Sequence, residues 1–165
     1  MTVLKGGQVG LQSVTAPTYA LHLPDASPNG EGKALARGWD TFSDTRVKSN
    51  QQPIPYGLAE VLRLTPKTYF HHNSTIENGS IVIAPEGKQD IGLVAQEVYE
   101  IIPEVVSKPE NEQAGLWGLA YDKLVPVLVK AIQEQQSQIE MLKKKNEEIN
   151  TLKAEIEQLK QLMVK

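Results

Sequence analysis

From about Asp122 to Lys165 the chain carries one apolar seam at coiled-coil spacing, and this limits its folds more than any other stretch. Ile132, Ile139, Leu142, Asn146 and Ile149 fit one heptad frame, while Ile149, Leu152, Ile156, Leu159 and Met163 fit a second. The frames join through consecutive spacings of three, a stammer that overwinds a coiled coil locally. Pro126 falls in the first turn, where a missing N–H costs nothing. A helix of about 40 residues with a single apolar stripe is not stable alone in water, so the spacing predicts self-association. Packing of the stripe back onto the chain's own domain is the competing arrangement. Ile at a with Leu at d over residues 149–163 favours two strands by heptad rules alone. Gln135 and Asn146 at core positions fix register at a cost in stability.

The rest of the chain has room for one modest core plus extensions, since the whole is 165 residues. Apolar residues make up 40% and charged residues 22%, the balance of an ordinary soluble domain. A net charge of −3 gives no electrostatic basis for nucleic-acid binding. With no cysteine, disulfides and thiolate metal sites are excluded. No run approaches the roughly 18 apolar residues of a membrane span, and Met1–Gly7 lacks the parts of a secretory signal. Neither a membrane nor a nucleic acid is expected as a partner.

Three segments follow from the pattern: residues 1–42, 43–125 and 126–165. The first is rich in Gly, Pro, Ser and Thr, with short strands expected at Val9-Gly10-Leu11 and Tyr19–Leu23. Pro17, Pro24, Asp25, Pro28, Asn29 and Gly30 supply the turns between and after them. The middle segment predicts an α+β domain. Leu58, Val61, Leu62 and Leu64 form a short helix ending before Pro66, and Ala95–Ile102 a second ended by Pro103. Thr68–His71 and Ser80–Ala84 read as strands around an Asn78-Gly79 turn, Ile91–Val94 as a third, and Leu116–Leu119 as a further extended piece. The sum is roughly four strands and two short helices around one core, followed by the long helix.

Chemistry concentrates at the junction Ser43-Asp44-Thr45-Arg46-Val47-Lys48-Ser49-Asn50. A serine hydroxyl is a weak nucleophile until a base takes its proton. An unperturbed lysine is neutral in only roughly one molecule per few thousand at pH 7, so a lysine base must be desolvated or set beside another cation. Arg46 would lower the Lys48 pKa, and Asp44 would oppose that unless paired with Arg46. Five residues turn a regular helix through about 140°, so Ser43 and Lys48 meet only if Ser43 stands just outside a turn. By spacing alone, Ser43 or Asp44 as a turn or cap residue and Lys48 as a solvated charge is the favoured reading.

The other signals carry less. His71 and His72 are neighbours, which a strand turns to opposite faces, so no metal site is expected from them. Asn73-Ser74-Thr75 and Asn78-Gly79-Ser80 fit the glycosylation acceptor pattern without a secretory context. Lys143-Lys144-Lys145 is balanced by Glu140, Glu147 and Glu148 as a solvated face. Tyr99 and Trp117 read as core or subunit-contact residues. No phosphate loop or dinucleotide fingerprint is present, and no cofactor is expected.

Four linked blocks resemble one family. They are Ser43-Asp44-x-Arg46-x-Lys48-x-Asn50, Leu62-x-Leu64-x-Pro66-x-x-Tyr69, Gly92–Val98 followed by Pro103-Glu104-Val105-Val106, and Tyr121 opening a long helix. The family is the intramolecular chaperone domain at the C-terminus of phage tail spikes, tail fibres and neck appendages, a self-cleaving peptidase with a Ser-Lys dyad. It is also found in some membrane-bound transcription factors of eukaryotes. Gly7–Leu11 and Pro17–His22 resemble the fibre end that often precedes it. The resemblance implies a homotrimer, against the heptad reading, with the chain's own fibre or spike stalk as client and substrate. It implies Ser43 as nucleophile, Lys48 as general base and Phe42–Ser43 as the scissile bond. Asp44, Arg46, Asn50 and Gln96 match motif positions and take supporting roles. The implied location is the virion tail, with the chaperone part released in the host cytoplasm.

Overall fold

The computed structural model describes residues 1–4, 7, 9–10, 21–22, 26–27, 30–31, 37–38 and 41–163. They divide into two compact units, Met1–Gln51 with Pro66–Val94 and Ser107–Gly118, and Gln52–Thr65 with Ala95–Val106 and Leu119–Lys165.

In the first unit β1 (Thr2–Val3) pairs antiparallel with β2 (Val9–Gly10), which pairs parallel with β3 (Leu21–His22). β4 (Ala26–Ser27) and β5 (Gly30–Glu31) pair antiparallel. The expected strands at Val9 and Leu21 are present over these residues. Leu11, Tyr19, Ala20 and Leu23 lie outside the described residues, as do Pro17, Pro24, Asp25, Pro28 and Asn29.

The unit's main element is an antiparallel hairpin of β6 (Lys67–Glu77) and β7 (Ser80–Gly92). Asn78 and Gly79 close it with φ of 50° and 76°. Positive φ at both turn residues matches the right-handed twist of the strands, which is why Asn-Gly suits this position. The ladder shifts between His72, opposite Gly87, and Ser74, opposite Ile83. Ala84, Pro85 and Glu86 fill the shift, where Pro85 has no N–H to give a ladder. At Gly87 a side chain would strike the His71 carbonyl and the Phe70 ring, so glycine lets the strands close again beyond the bulge.

This bulge corrects one expectation. Ile91 begins no third strand; Ile91 and Gly92 end β7, opposite Thr68 and Lys67. Pro85 and Gly87 interrupt the side-chain alternation without ending the strand. His71 stacks edge-on with Tyr69 at 6.0 Å between ring centres, and His72 with Phe70 at 4.9 Å. In the segment between Ser107 and Gly118, Lys108 lies 5.0 Å over the Trp117 ring and 3.7 Å from Glu112.

The second unit holds α1 (Leu58–Val61), α2 (Ala95–Tyr99) and α3 (Leu124–Met163). Short 3-10 turns cover Pro103–Val105 and Tyr121–Lys123. Both predicted short helices are present but shorter than the apolar spacing suggests. Their last residues close tighter turns, such as Arg63 N–H to Glu60 O and Ile101 N–H to Val98 O. The buried core is Val98, Ile102, Val105, Leu124, Val127 and Ala131, each at most 7% exposed. Leu124, Val127 and Ala131 form a stripe along the first turns of α3.

Beyond Ala131 the character of α3 changes. Ile132, Ile139, Leu142, Ile149, Leu152, Ile156 and Leu159 are 40–64% exposed. The heptad seam is therefore open along the helix, and the core is confined to its root.

Candidate active site

Asp44 organises the candidate site. Its carboxylate caps the 3-10 turn Thr45–Val47, with Oδ1 accepting from the Arg46 N–H at 2.8 Å. A short side-chain acceptor just before a turn satisfies a donor that the turn leaves free. The Arg46 guanidinium folds back on the same carboxylate, Nε to Oδ1 at 2.9 Å and a terminal nitrogen to Oδ2 at 2.7 Å. This two-pronged pairing holds the Asp44 carboxyl below its ordinary pKa.

Ser43 stands just before this cap, and Lys48 just after the turn, its N–H bonded to Thr45 O at 3.1 Å. The tight turn reverses the chain, and the Lys48 ammonium donates to Ser43 Oγ at 2.7 Å. Two readings left open by spacing therefore coexist, since Asp44 is a cap and Lys48 reaches Ser43. Asn50 closes the loop at φ 52°, a left-handed conformation that asparagine tolerates better than most residues. Gln51 braces it, donating from Nε2 to Thr45 Oγ1 at 3.0 Å and to Lys48 O at 3.1 Å. Gln51 carries no motif signal and is seen only in the folded turn.

Every residue from Thr41 to Asn50 is exposed, and Phe42 is 98% exposed. In this setting Lys48 is a hydrogen-bond donor to the serine. To serve as a base it must accept the hydroxyl proton instead, which requires the neutral amine. Arg46 is committed to Asp44, so its charge is largely balanced beside Lys48. Gln96 lies in the second unit, on α2, with its side chain exposed.

Residues 43–107 match the peptidase family described as chaperone of endosialidase. Over these residues the chain is similar to that family. That family is one of self-cleaving peptidases. The match begins at Ser43, the residue whose hydroxyl meets Lys48. The chain is also similar to the long tail fibre proteins Gp37 of Enterobacteria phages M1 and Ox2. Each is 33% identical over 102 residues, which is 61% of this chain and 38% of the relative. The chain thus spans well under half of those fibre proteins' length.

Proposed function

We propose that this chain is the C-terminal intramolecular chaperone of a phage tail fibre or spike, a homotrimer that registers its stalk and then releases itself at Phe42–Ser43. Residues 1–42 form the stalk end, 43–125 the chaperone and peptidase core, and 126–165 the coiled coil. The observation that carries the reading is the 2.7 Å contact between Lys48 Nζ and Ser43 Oγ. Such a pair is the minimum equipment of a Ser-Lys peptidase.

The chemistry follows from the placement of the bond. Neutral Lys48 takes the Ser43 hydroxyl proton, and Oγ attacks the Phe42 carbonyl carbon through a five-membered ring. The Phe42–Ser43 C–N bond breaks as Lys48 returns the proton to the Ser43 nitrogen, leaving an ester. Water then cleaves that ester, giving a Phe42 carboxylate and a Ser43 with a free amine. Attack within one residue is effectively unimolecular, so positioning supplies much of the rate. The dyad is solvated in the single chain, and burial on assembly is what would favour the neutral lysine. Cleavage is thereby tied to the assembled state.

A fibre gains from this arrangement. Three β-rich chains must start in register, and non-local pairing is slow and error-prone. A C-terminal trimer raises their effective concentration. Its removal leaves the fibre held by its unfolding barrier. The product works in the virion tail, while residues 43–165 remain in the host cytoplasm.

The exposure of residues 41–50 favours a second reading, a trimerisation cap that stays attached. Ser43→Ala and Lys48→Ala separate the two. Self-cleavage predicts an uncut chain with intact assembly for both variants beside a cut wild type. An uncut wild type that still assembles supports the permanent cap instead.

A further inference from the structure

The chain leaves the Ser43–Lys48 turn at Gln51 and continues through Gln52-Pro53-Ile54-Pro55 to Tyr56. Two prolines fix their own φ and press Gln52 and Ile54 towards extended conformations, so this tether is stiff. Three attachments in the second unit hold it, all leading to the root of α3. Pro53 and Ile54 line an apolar groove with Val125, Pro126 and Val129. The Tyr56 hydroxyl donates to Glu104 Oε2 at 2.7 Å, and the Glu104 carbonyl accepts from Lys123 Nζ at 3.2 Å, just before α3 begins. Leu58 N–H, in the first turn of α1, donates to Glu134 Oε2 of α3 at 2.8 Å.

The sequence is adapted to the third attachment. Gly57 is buried, and a Cβ there would strike the Glu134 carboxylate. The Gly57 N–H is held separately by Glu60 Oε2 at 2.8 Å. The first N–H groups of any α-helix have no acceptor within it, and an acid from α3 takes one of those of α1. Lys130 lies 3.6 Å from Glu134 on the same helix. Glu134 also sits between Ile132 and Gln135, where the exposed seam begins. The Glu104 carboxylate raises the Tyr56 phenol's pKa, with partial burial and Glu60 adding to this, so the hydroxyl remains a donor.

The geometry points to a clamp in which Tyr56, Glu104 and Glu134 are positioning residues for self-cleavage, anchoring the dyad's tether to the helix whose association assembles the protein. The inference rests on the self-cleavage proposed above. It adds a route by which assembly reaches the dyad without any of the three residues touching the scissile bond. Ordering of α3 at Ile132 and Gln135 steadies Glu134. Glu134 and Glu104 in turn steady the tether, which continues along the chain through Gln51 into the dyad turn. Small displacements of reacting groups cost up to about a hundredfold in rate, so a loosened clamp should slow cleavage without touching the dyad.

The test follows the appearance of fragment 43–165 in freshly synthesised full chain by pulse-chase, with assembly followed by sedimentation. Tyr56→Phe, Glu104→Ala and Glu134→Ala should each cut at least about tenfold more slowly than wild type within the assembled fraction. Glu104→Gln and Glu134→Gln keep a carbonyl acceptor for the same donors and should restore most of the rate. Tyr56→Phe with Glu104→Ala should be no slower than either alone, because both remove one shared hydrogen bond. If Glu134→Ala weakens assembly, Tyr56→Phe decides, since it removes only a hydroxyl at the surface. Wild-type rates in Tyr56→Phe and Glu134→Ala, or glutamine variants as slow as alanine ones, would overturn the clamp alone. An uncut wild-type chain would overturn both the clamp and the self-cleavage on which it rests.

Discussion

Ile149 belongs to both heptad frames, so the two halves of the seam share it across the stammer. It is 48% exposed in the single chain. Full burial of an isoleucine side chain is worth about 1.5–3 kcal/mol, so covering the exposed half contributes about 1 kcal/mol per chain and about 3 kcal/mol over the three chains of the proposed trimer. Ile149→Ala removes most of that surface and leaves a void in its layer. The association constant of the proposed trimer should therefore fall on the order of a hundredfold. Sedimentation equilibrium over a concentration series measures this, in a Ser43→Ala background that keeps the chain whole. Lys144→Ala, a change on the charged face of the same helix, is the control and should change assembly little. Helix content should drop with dissociation, because a long helix with an uncovered seam is marginal in water. An unchanged association constant for Ile149→Ala, or an equal loss for Lys144→Ala, would refute the seam as the assembly surface.

Three further outcomes follow from packing and charge. Ile102 is 1% exposed within the buried core of the described residues, so Ile102→Ala should cost about 2–5 kcal/mol in thermal or denaturant unfolding. Gly87→Ala forces a side chain against the His71 carbonyl and should open the hairpin beyond its bulge, read as faster amide exchange in β6 and β7. The Asp44–Arg46 pair supports the dyad turn above the ordinary carboxylate pKa of about 3.9, and that support is lost as pH falls through the lowered Asp44 value. In an NMR titration Arg46→Ala should move the Asp44 midpoint up towards that ordinary value; an unmoved midpoint would show that the pairing does not hold in solution.

The elements most legible in the sequence are those whose signals are local. Asn78-Gly79 marks its turn because both residues accept positive φ, and Pro66 and Pro103 mark where helical patterns stop. The seam of α3 is legible because its apolar spacing recurs over many turns on both sides of the stammer. Ile91 was harder, since Pro85 and Gly87 look like the end of a strand and turn out to be a bulge within one. The Ser43–Lys48 contact depends on a 3-10 turn capped by Asp44, whose tightness a regular helical wheel does not convey. Gln51 gave no signal because its role is to brace backbone and hydroxyl groups that exist as targets only after the turn forms. Tyr56 and Glu104 are far apart in the chain, as are Leu58 and Glu134, and spacing alone cannot pair such residues.

Self-cleavage between Phe42 and Ser43 is tested most directly by the intact mass of freshly purified chain, beside that of Ser43→Ala. The account predicts two wild-type fragments, one ending in a Phe42 carboxylate and one beginning with a free Ser43 amine, together heavier than the intact chain by one water. It predicts a single full-length species for Ser43→Ala. A full-length wild type, or a cut that persists in Ser43→Ala, would contradict it.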